Sequence, residues 1–213
     1  MAAKVVLFDF DGTIADTYQA IANITNELST EFGYKALAQE ELLSLKNLSS
    51  CEIVKRTEIS FFQIPFLLNR IRAELSKEIA ELLPIKDVTQ VLFELKARGY
   101  ILGIITSNIK ENVEMFLAKN QLNSLFSYIY SSTGIFGKHR VINQAIRENS
   151  LNKSNVIYVG DETRDIRSAR KSSIGVIAVS WGFNSAEILQ EYQPDHLVDR
   201  PQELLEAIAL YHS

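Results

Sequence analysis

Val5-Val6-Leu7-Phe8-Asp9-Phe10-Asp11-Gly12-Thr13 is the stretch on which the reading of this chain turns. Its apolar opening suits a buried strand and is too short to span a membrane. Two carboxylates then stand two residues apart, where the strand should end. Strand side chains repeat every two residues, so Asp9 and Asp11 look toward the same side. Gly12 allows the sharp turn that keeps both acids at the mouth of a cleft, and Thr13 follows it. Like charges this close repel each other, and they are tolerated when a cation lies between them or one carboxyl holds a proton. A lone Asp-x-Asp is as readily an idle acidic turn; the apolar run before it and the Gly-Thr after it point to a site.

The remaining chain changes rhythm once. After Asp16 and Thr17, either of which suits a helix N-cap, a helical pattern runs to about Phe32 and ends at Gly33. Helical periodicity continues from about residue 38 to 83, with Pro65 opening a long helix. From Asp87 onward helices and strands alternate: strands at 100–106, 128–131, 155–160, 174–180 and a short one at 196–198, with helices at 87–98, 110–120, 138–149, 163–172, 185–191 and 201–211. Alternation of this kind builds a parallel sheet covered on both faces. Such sheets bind ligands outside the carboxyl ends of their strands, where Asp9 and Asp11 fall. The expected architecture is α/β: a core of residues 1–15 and 84–213, and an all-helical insertion over 16–83.

Composition sets outer bounds. The chain has 213 residues, 46% hydrophobic and 23% charged, enough for one domain carrying a small insertion. Its net charge is −4 and no basic stripe is visible, which argues against nucleic acid as a partner. Cys51 is the only cysteine, so neither an internal disulfide nor a multi-cysteine zinc site can form. No secretory signal and no membrane helix are expected, and a cytoplasmic setting follows as the default. His139, His196 and His212 lack metal-ligand spacing. A monomer or homodimer is the base expectation for oligomeric state.

Asp9-Phe10-Asp11-Gly12-Thr13 resembles the first motif of the haloacid dehalogenase superfamily, most of whose members are phosphatases. The resemblance implies that Asp9 attacks phosphorus to form an aspartyl-phosphate and that Asp11 acts as general acid, then as general base. Both roles are chemically sound: a carboxylate can be a covalent nucleophile, and a positioned acid can protonate a leaving oxygen. The dehalogenases of the family lack the second Asp, so Asp11 favours phosphoryl chemistry. A Rossmann-like three-layer core with a small helical cap is implied as well, matching the pattern above.

Three further pieces extend the resemblance. Ile101–Thr106 is an apolar strand ending in a hydroxyl just before a helix, a place suited to cradling phosphate. Thr106 best matches the family's phosphate-binding Thr or Ser, with Ser107 as the alternative and Asn108 as a substrate contact; Gly12 and Thr13 are also assigned to substrate binding. Lys138, after Phe136-Gly137, takes the place of the family's lysine, with Lys153 as a less well placed substitute. Gly160-Asp161-Glu162-Thr163-Arg164-Asp165 is a second strand ending in acid. It reads as a Mg²⁺ site, because Mg²⁺ prefers hard oxygen ligands. Asp161 would bind the metal with Asp9 and the Asp11 carbonyl, while Asp165 and Glu162 would hold waters or orient the lysine.

The insertion is expected to close over the site as a lid and select a small phosphorylated metabolite. Lys46 would meet an anionic leaving group, unless it is simply a solvated lysine. Arg56, Arg70 and Arg72 are expected at the surface, and Phe61, Phe62 and Phe66 in the core of the cap. The tail, from Val179-Ser180-Trp181-Gly182-Phe183 to Pro201–Leu205, resembles the phosphoglycolate-phosphatase-like branch. Two departures stand out: the branch has Pro-Gly before the helix at 87 where this chain has Pro84-Ile85-Lys86-Asp87, and the cap lacks its glycine-rich pattern. The implied activity is Mg²⁺-dependent hydrolysis of a small phosphate monoester, with 2-phosphoglycolate as one candidate. A phosphomutase and a non-catalytic phospho-ligand binding protein are the alternatives.

Overall fold

The computed structural model describes residues 4–212 apart from 50, 51, 54, 56–58, 61 and 132–136. Strand β1 (Val5–Phe8) lies between β2 (Ile101–Thr106) and β4 (Val156–Gly160), parallel to both. With β3 (Phe126–Ser131), β5 (Gly175–Val179) and β6 (His196–Val198) it forms a parallel six-stranded sheet in the order β3-β2-β1-β4-β5-β6. This is the α/β, Rossmann-like layout expected from the alternation.

The pleat of β1 divides its side chains between two cores. Val6 and Phe8 pack with Val91, Leu95 and Phe116 on one face; Val5 and Leu7 pack with Ile142, Ile146 and Ile166 on the other. Burial on both faces is why β1 reads as a continuous apolar run. The chain leaves β1 toward β2 and β3, then returns to the other side of β1 for β4. The crevice at this reversal opens at the carboxyl ends of the strands, where Asp9 and Asp161 sit.

Helices fill the segment between β1 and β2. They include α1 (Tyr18–Glu27), α2 (Ser29–Phe32), α3 (Gln39–Leu45) and α4 (Ile64–Glu78). The single helix expected to Phe32 is broken at Leu28, and α2 ends at Gly33 with φ 72°. The two crossings of this segment lie side by side: Asp16 N–H donates to Leu83 O at 3.0 Å and Ile85 N–H to Ile14 O at 2.8 Å.

Two expectations for this segment need correction. Phe62 and Phe66 are 83% and 68% exposed rather than in a cap core. Ile64, Leu67 and Leu75 take the inward face of α4, and Phe66 falls off that stripe. Arg72, expected at the surface, is only 7% exposed. Arg70 does lie at the surface, paired with Glu31 and Glu74. Phe61, Arg56, Cys51 and Phe136 lie outside the described residues.

Beyond the insertion, the sheet's covering helices are α5 (Val88–Ala97), α6 (Lys110–Lys119), α7 (Lys138–Glu148), α8 (Thr163–Ser172), α9 (Ala186–Glu191) and α10 (Leu204–Tyr211). Asp87, before α5, holds φ 68°, a left-handed backbone that suits glycine. Asp is among the few other residues that visit this region, so the chain turns here without the branch's Gly.

Candidate active site

Asp9 leaves β1 with its backbone still in register, its N–H donating to Val159 O at 2.8 Å. Its carboxylate is buried, 2% exposed. One oxygen accepts from Phe10 N–H at 2.8 Å; the other lies 2.6 Å from Lys138 Nζ. Lys138 is the first residue of α7, a placement from which its side chain reaches the carboxyl end of the central strand β1, and its Nζ also donates to Asp165 Oδ1 at 2.6 Å. Burial pulls the lysine pKa down, but Asp165 and Asp9 outweigh that and raise it, so the ammonium is charged.

Asp161 continues β4 as Asp9 continues β1. Thr13 Oγ1 donates to one of its oxygens at 2.6 Å and Phe183 N–H to the other at 2.7 Å. Gly12 makes this approach possible: at φ 74°, a Cβ there would stand 2.5 Å from Asp161 Oδ2. Asp165 joins from the first turn of α8, its other oxygen accepting from Glu162 N–H in a capping box. Asp9, Asp161 and Asp165 each bring a carboxylate oxygen within 4.8 Å of the others. Burial, then neighbouring acids, raises Asp161 well above the ordinary carboxylate range. Burial raises Asp165 too, against the pull of Lys138. Three buried carboxylates with one lysine is a donor set of hard oxygens with an excess of negative charge, and it fits Mg²⁺.

Asp11 faces a different environment. Both its oxygens accept from Asn108 Nδ2 at 3.1 Å. Its pKa is pushed up to about 7, by burial first and the Asp9 charge second, while the Asn108 bond pulls it down. Asn108 is fixed in turn, its Oδ1 accepting from Ile109 N–H at 2.8 Å and from Asn112 Nδ2 at 3.0 Å. Ser76 of α4 then donates to Asn112 Oδ1 at 2.6 Å. A chain of hydrogen bonds thus joins the insertion to Asp11. The site can offer a lysine-oriented carboxylate beside a carboxyl group whose pKa suits proton transfer near neutrality.

Most of the residues expected from sequence therefore converge. Asp9, Asp161, Asp165 and Lys138 form one cluster, with Gly12 and Thr13 packed against it. Asp11, Ser107 and Asn108 line an adjoining cavity of about 230 Å³ between the core and the insertion. Thr106 is fully buried, its hydroxyl accepting from Asn108 N–H at 3.0 Å. Lys46 lines a neighbouring cavity of about 190 Å³; its Nζ donates to Gly182 O at 2.8 Å and sits 4.3 Å over the Tyr18 ring. Sequence reasoning missed Arg72, Ser76 and Asn112, and passed over Arg164 inside the GDxxxD run. Only the Asn108–Asn112 spacing of four carried a signal, as neighbours on one helical turn.

The family model for haloacid dehalogenase-like hydrolases matches residues 6–179. The chain belongs to this family. It is 36% identical over 205 residues to a phosphoglycolate phosphatase of Synechococcus elongatus, covering 96% of this chain and 97% of that one. It is 24% identical over 211 residues to the pyrophosphatase PpaX of Bacillus mycoides, with 96% of each covered. Among solved structures, a haloacid dehalogenase-like hydrolase from Streptococcus pneumoniae superposes with a TM-score of 0.80 at 26% identity, over 96% of this chain and 98% of that one. The match of the family model begins within β1 and ends with β5, so it contains Asp9, Asp11, Thr106, Lys138, Asp161 and Asp165. No helix among the described residues of this hydrolase is long and apolar enough to cross a membrane.

Proposed function

We propose that the protein is a Mg²⁺-dependent phosphatase that hydrolyses a small phosphate monoester through an aspartyl-phosphate, with 2-phosphoglycolate the leading substrate. The observation that carries this reading is the pair of carboxyl groups at the end of β1: Asp9 is held by Lys138 at 2.6 Å, and both oxygens of Asp11 accept from Asn108 Nδ2 at 3.1 Å.

Asp9 is the nucleophile. Phe10 N–H and Lys138 Nζ fix its carboxylate, so it attacks from an already oriented position. An Asp9 oxygen bonds to phosphorus as the bond to the leaving oxygen breaks. Asp11, in its protonated form, delivers its proton to that oxygen. The Asp11 carboxylate then takes a proton from water, whose oxygen attacks phosphorus and releases phosphate from Asp9. Thr106 and Ser107, at the carboxyl end of β2, receive the phosphoryl oxygens with their hydroxyl groups. Asp9 and Asp161, with the Asp11 carbonyl, would hold Mg²⁺, while Asp165 orients Lys138. When bound, Mg²⁺ supplies positive charge that offsets repulsion between carboxylate and phosphate. Residues 16–83 act as the cap, hinged where Asp16–Leu83 and Ile14–Ile85 run side by side.

The test is phosphate release from a panel of small monoesters, with and without Mg²⁺. The panel includes 2-phosphoglycolate and hexose phosphates, and Asp9→Asn is the control. Release that requires both Mg²⁺ and Asp9 is the expected result. Isomerised sugar phosphate without net release would instead indicate a mutase.

A further inference from the structure

Asn184 sits where the insertion meets the turn after β5, and it is only 4% exposed. Its amide is fully used. Nδ2 donates to Leu48 O at 2.9 Å and to Lys46 O at 3.2 Å, both in the turn that follows α3. Oδ1 accepts from Thr163 N–H at 2.9 Å, one of the N–H groups that a helix start leaves without an intrahelical partner. Two more bonds cross the same seam: Ser185 N–H donates to Lys46 O at 2.9 Å, and Lys46 Nζ donates to Gly182 O at 2.8 Å. Main chain and side chain together clasp residues 46–48 to residues 182–185.

The same turn holds Asp161. Phe183 N–H donates to Asp161 Oδ2 at 2.7 Å, and Asn184 N–H donates to Asp161 O at 3.2 Å. The Phe183 ring meets the Tyr18 ring of α1 edge-on, with centroids 5.3 Å apart. One short turn thus grips the insertion on one side and the Asp161 carboxylate on the other. The bonds to Lys46 O and Leu48 O fix where Phe183 N–H points. Opening them leaves the turn free to shift the donor that orients Asp161.

We infer that Asn184 and Lys46 are positioning residues that clasp the cap to the Asp161 turn, so that cap docking strengthens metal binding and metal binding strengthens cap docking. The effect is reciprocal because both events act on one turn. The inference rests on the proposed function, in which Asp161 is a Mg²⁺ ligand and residues 16–83 are the cap. It gives Lys46 a role that needs no substrate contact. An ammonium acting through its charge alone would repel a nearby cation, so its removal would tighten Mg²⁺ binding. A clasp predicts the opposite sign.

The experiment is calorimetric titration of Mg²⁺ into the substrate-free protein, with amide hydrogen exchange at Ser185 followed by NMR. Asn184→Ala should weaken Mg²⁺ binding by about 5-fold or more. Lys46→Met should weaken it in the same direction by less, and Lys46→Arg should retain most of the wild-type affinity. In wild type, saturating Mg²⁺ should slow exchange of Ser185 N–H by a factor similar to the loss in Asn184→Ala. Leu28 N–H, bonded within the insertion to Ile24 O at 3.0 Å, should not respond. In Asn184→Ala, Ser185 should exchange faster and the Mg²⁺ effect should shrink. Unchanged or tighter Mg²⁺ binding in Lys46→Met, or Ser185 exchange indifferent to Mg²⁺ in wild type, overturns the clasp and leaves the metal site standing. If Asn184→Ala does not fold, Lys46→Met decides, since it leaves the buried Asn184 amide in place. Wild type that binds no Mg²⁺ overturns the metal reading, and the coupling with it.

Discussion

Asn108 Nδ2 lies 3.1 Å from each carboxylate oxygen of Asp11, so one amide group addresses both. The contact favours the charged form, and it works against the burial and the Asp9 charge that push Asp11 up to about 7. On the proposed mechanism, Asn108 would keep Asp11 able to give a proton in one half of the reaction and take one in the other. Removing the amide in Asn108→Ala should move the Asp11 pKa higher still. Carboxyl titration of the metal-free protein by NMR would show this, and turnover should slow because the second half needs the carboxylate.

Asp11 also links stability to pH. Its native pKa lies above its unfolded one, so protonation favours the folded state. That contribution is complete below the ordinary carboxylate range and is lost as pH rises through about 7. Asp11→Asn removes the loss. The metal-free variant should melt above wild type at about pH 8, with the gap closing toward about pH 4. A gap that does not change with pH would contradict the assignment.

Lys138 is the cation that the Asp9–Asp161–Asp165 cluster holds directly, 2.6 Å from both Asp9 and Asp165. Lys138→Met leaves buried carboxylates unpaired and should cost about 3–5 kcal/mol in denaturant unfolding of the metal-free protein. Adding Mg²⁺ should recover part of that loss.

Asp161 is placed by backbone approach as much as by hydrogen bonds. A Cβ at Gly182 would stand 2.2 Å from Asp161 Oδ2, so Gly182→Ala must push the carboxylate aside. The fold should survive, since Gly182 lies in a turn after β5, but Mg²⁺ should stabilise the variant with about tenfold weaker affinity. Thermal melts across a Mg²⁺ series would read this, with Asp161→Asn as the case in which the Mg²⁺ effect is lost.

Asp87 adopts φ 68° with no side-chain cap to compensate. Asp87→Gly should therefore stabilise the protein, by up to about 1 kcal/mol. The melting temperature should rise by about 2–4 °C per kcal/mol.

Much of this was legible in the sequence because its signals are local. Val5–Thr13 and Val156–Asp165 each pair an apolar run with acids at its end, and strand geometry then dictates where those acids point. Lys138 was found through the resemblance to the family, which places a lysine at this loop-to-helix junction; position alone left it a solvated lysine. Arg72 was not: on α4 it looks like any solvated arginine, and only the packing of the insertion against the core buries it. Phe62 and Phe66 failed in the opposite direction: Phe62 lies in the turn before α4, and aromatic character alone says nothing of which face of α4 carries Phe66. Ser76 and Asn112 act across 36 residues of sequence, a separation that no periodicity encodes. Lys46 shows the same limit, since its partners come from distant places in the chain, Gly182 from the turn after β5 and Tyr18 from the start of α1.

The central claim is that Asp9 carries the phosphoryl group. Acid-quenched single turnover of 2-phosphoglycolate with Mg²⁺, followed by peptide mass spectrometry, tests it directly. The account predicts a transient phosphoryl group on Asp9 that is absent from the Asp9→Asn protein. Turnover with no phosphorylated peptide, or with the phosphoryl group on another residue, would contradict it.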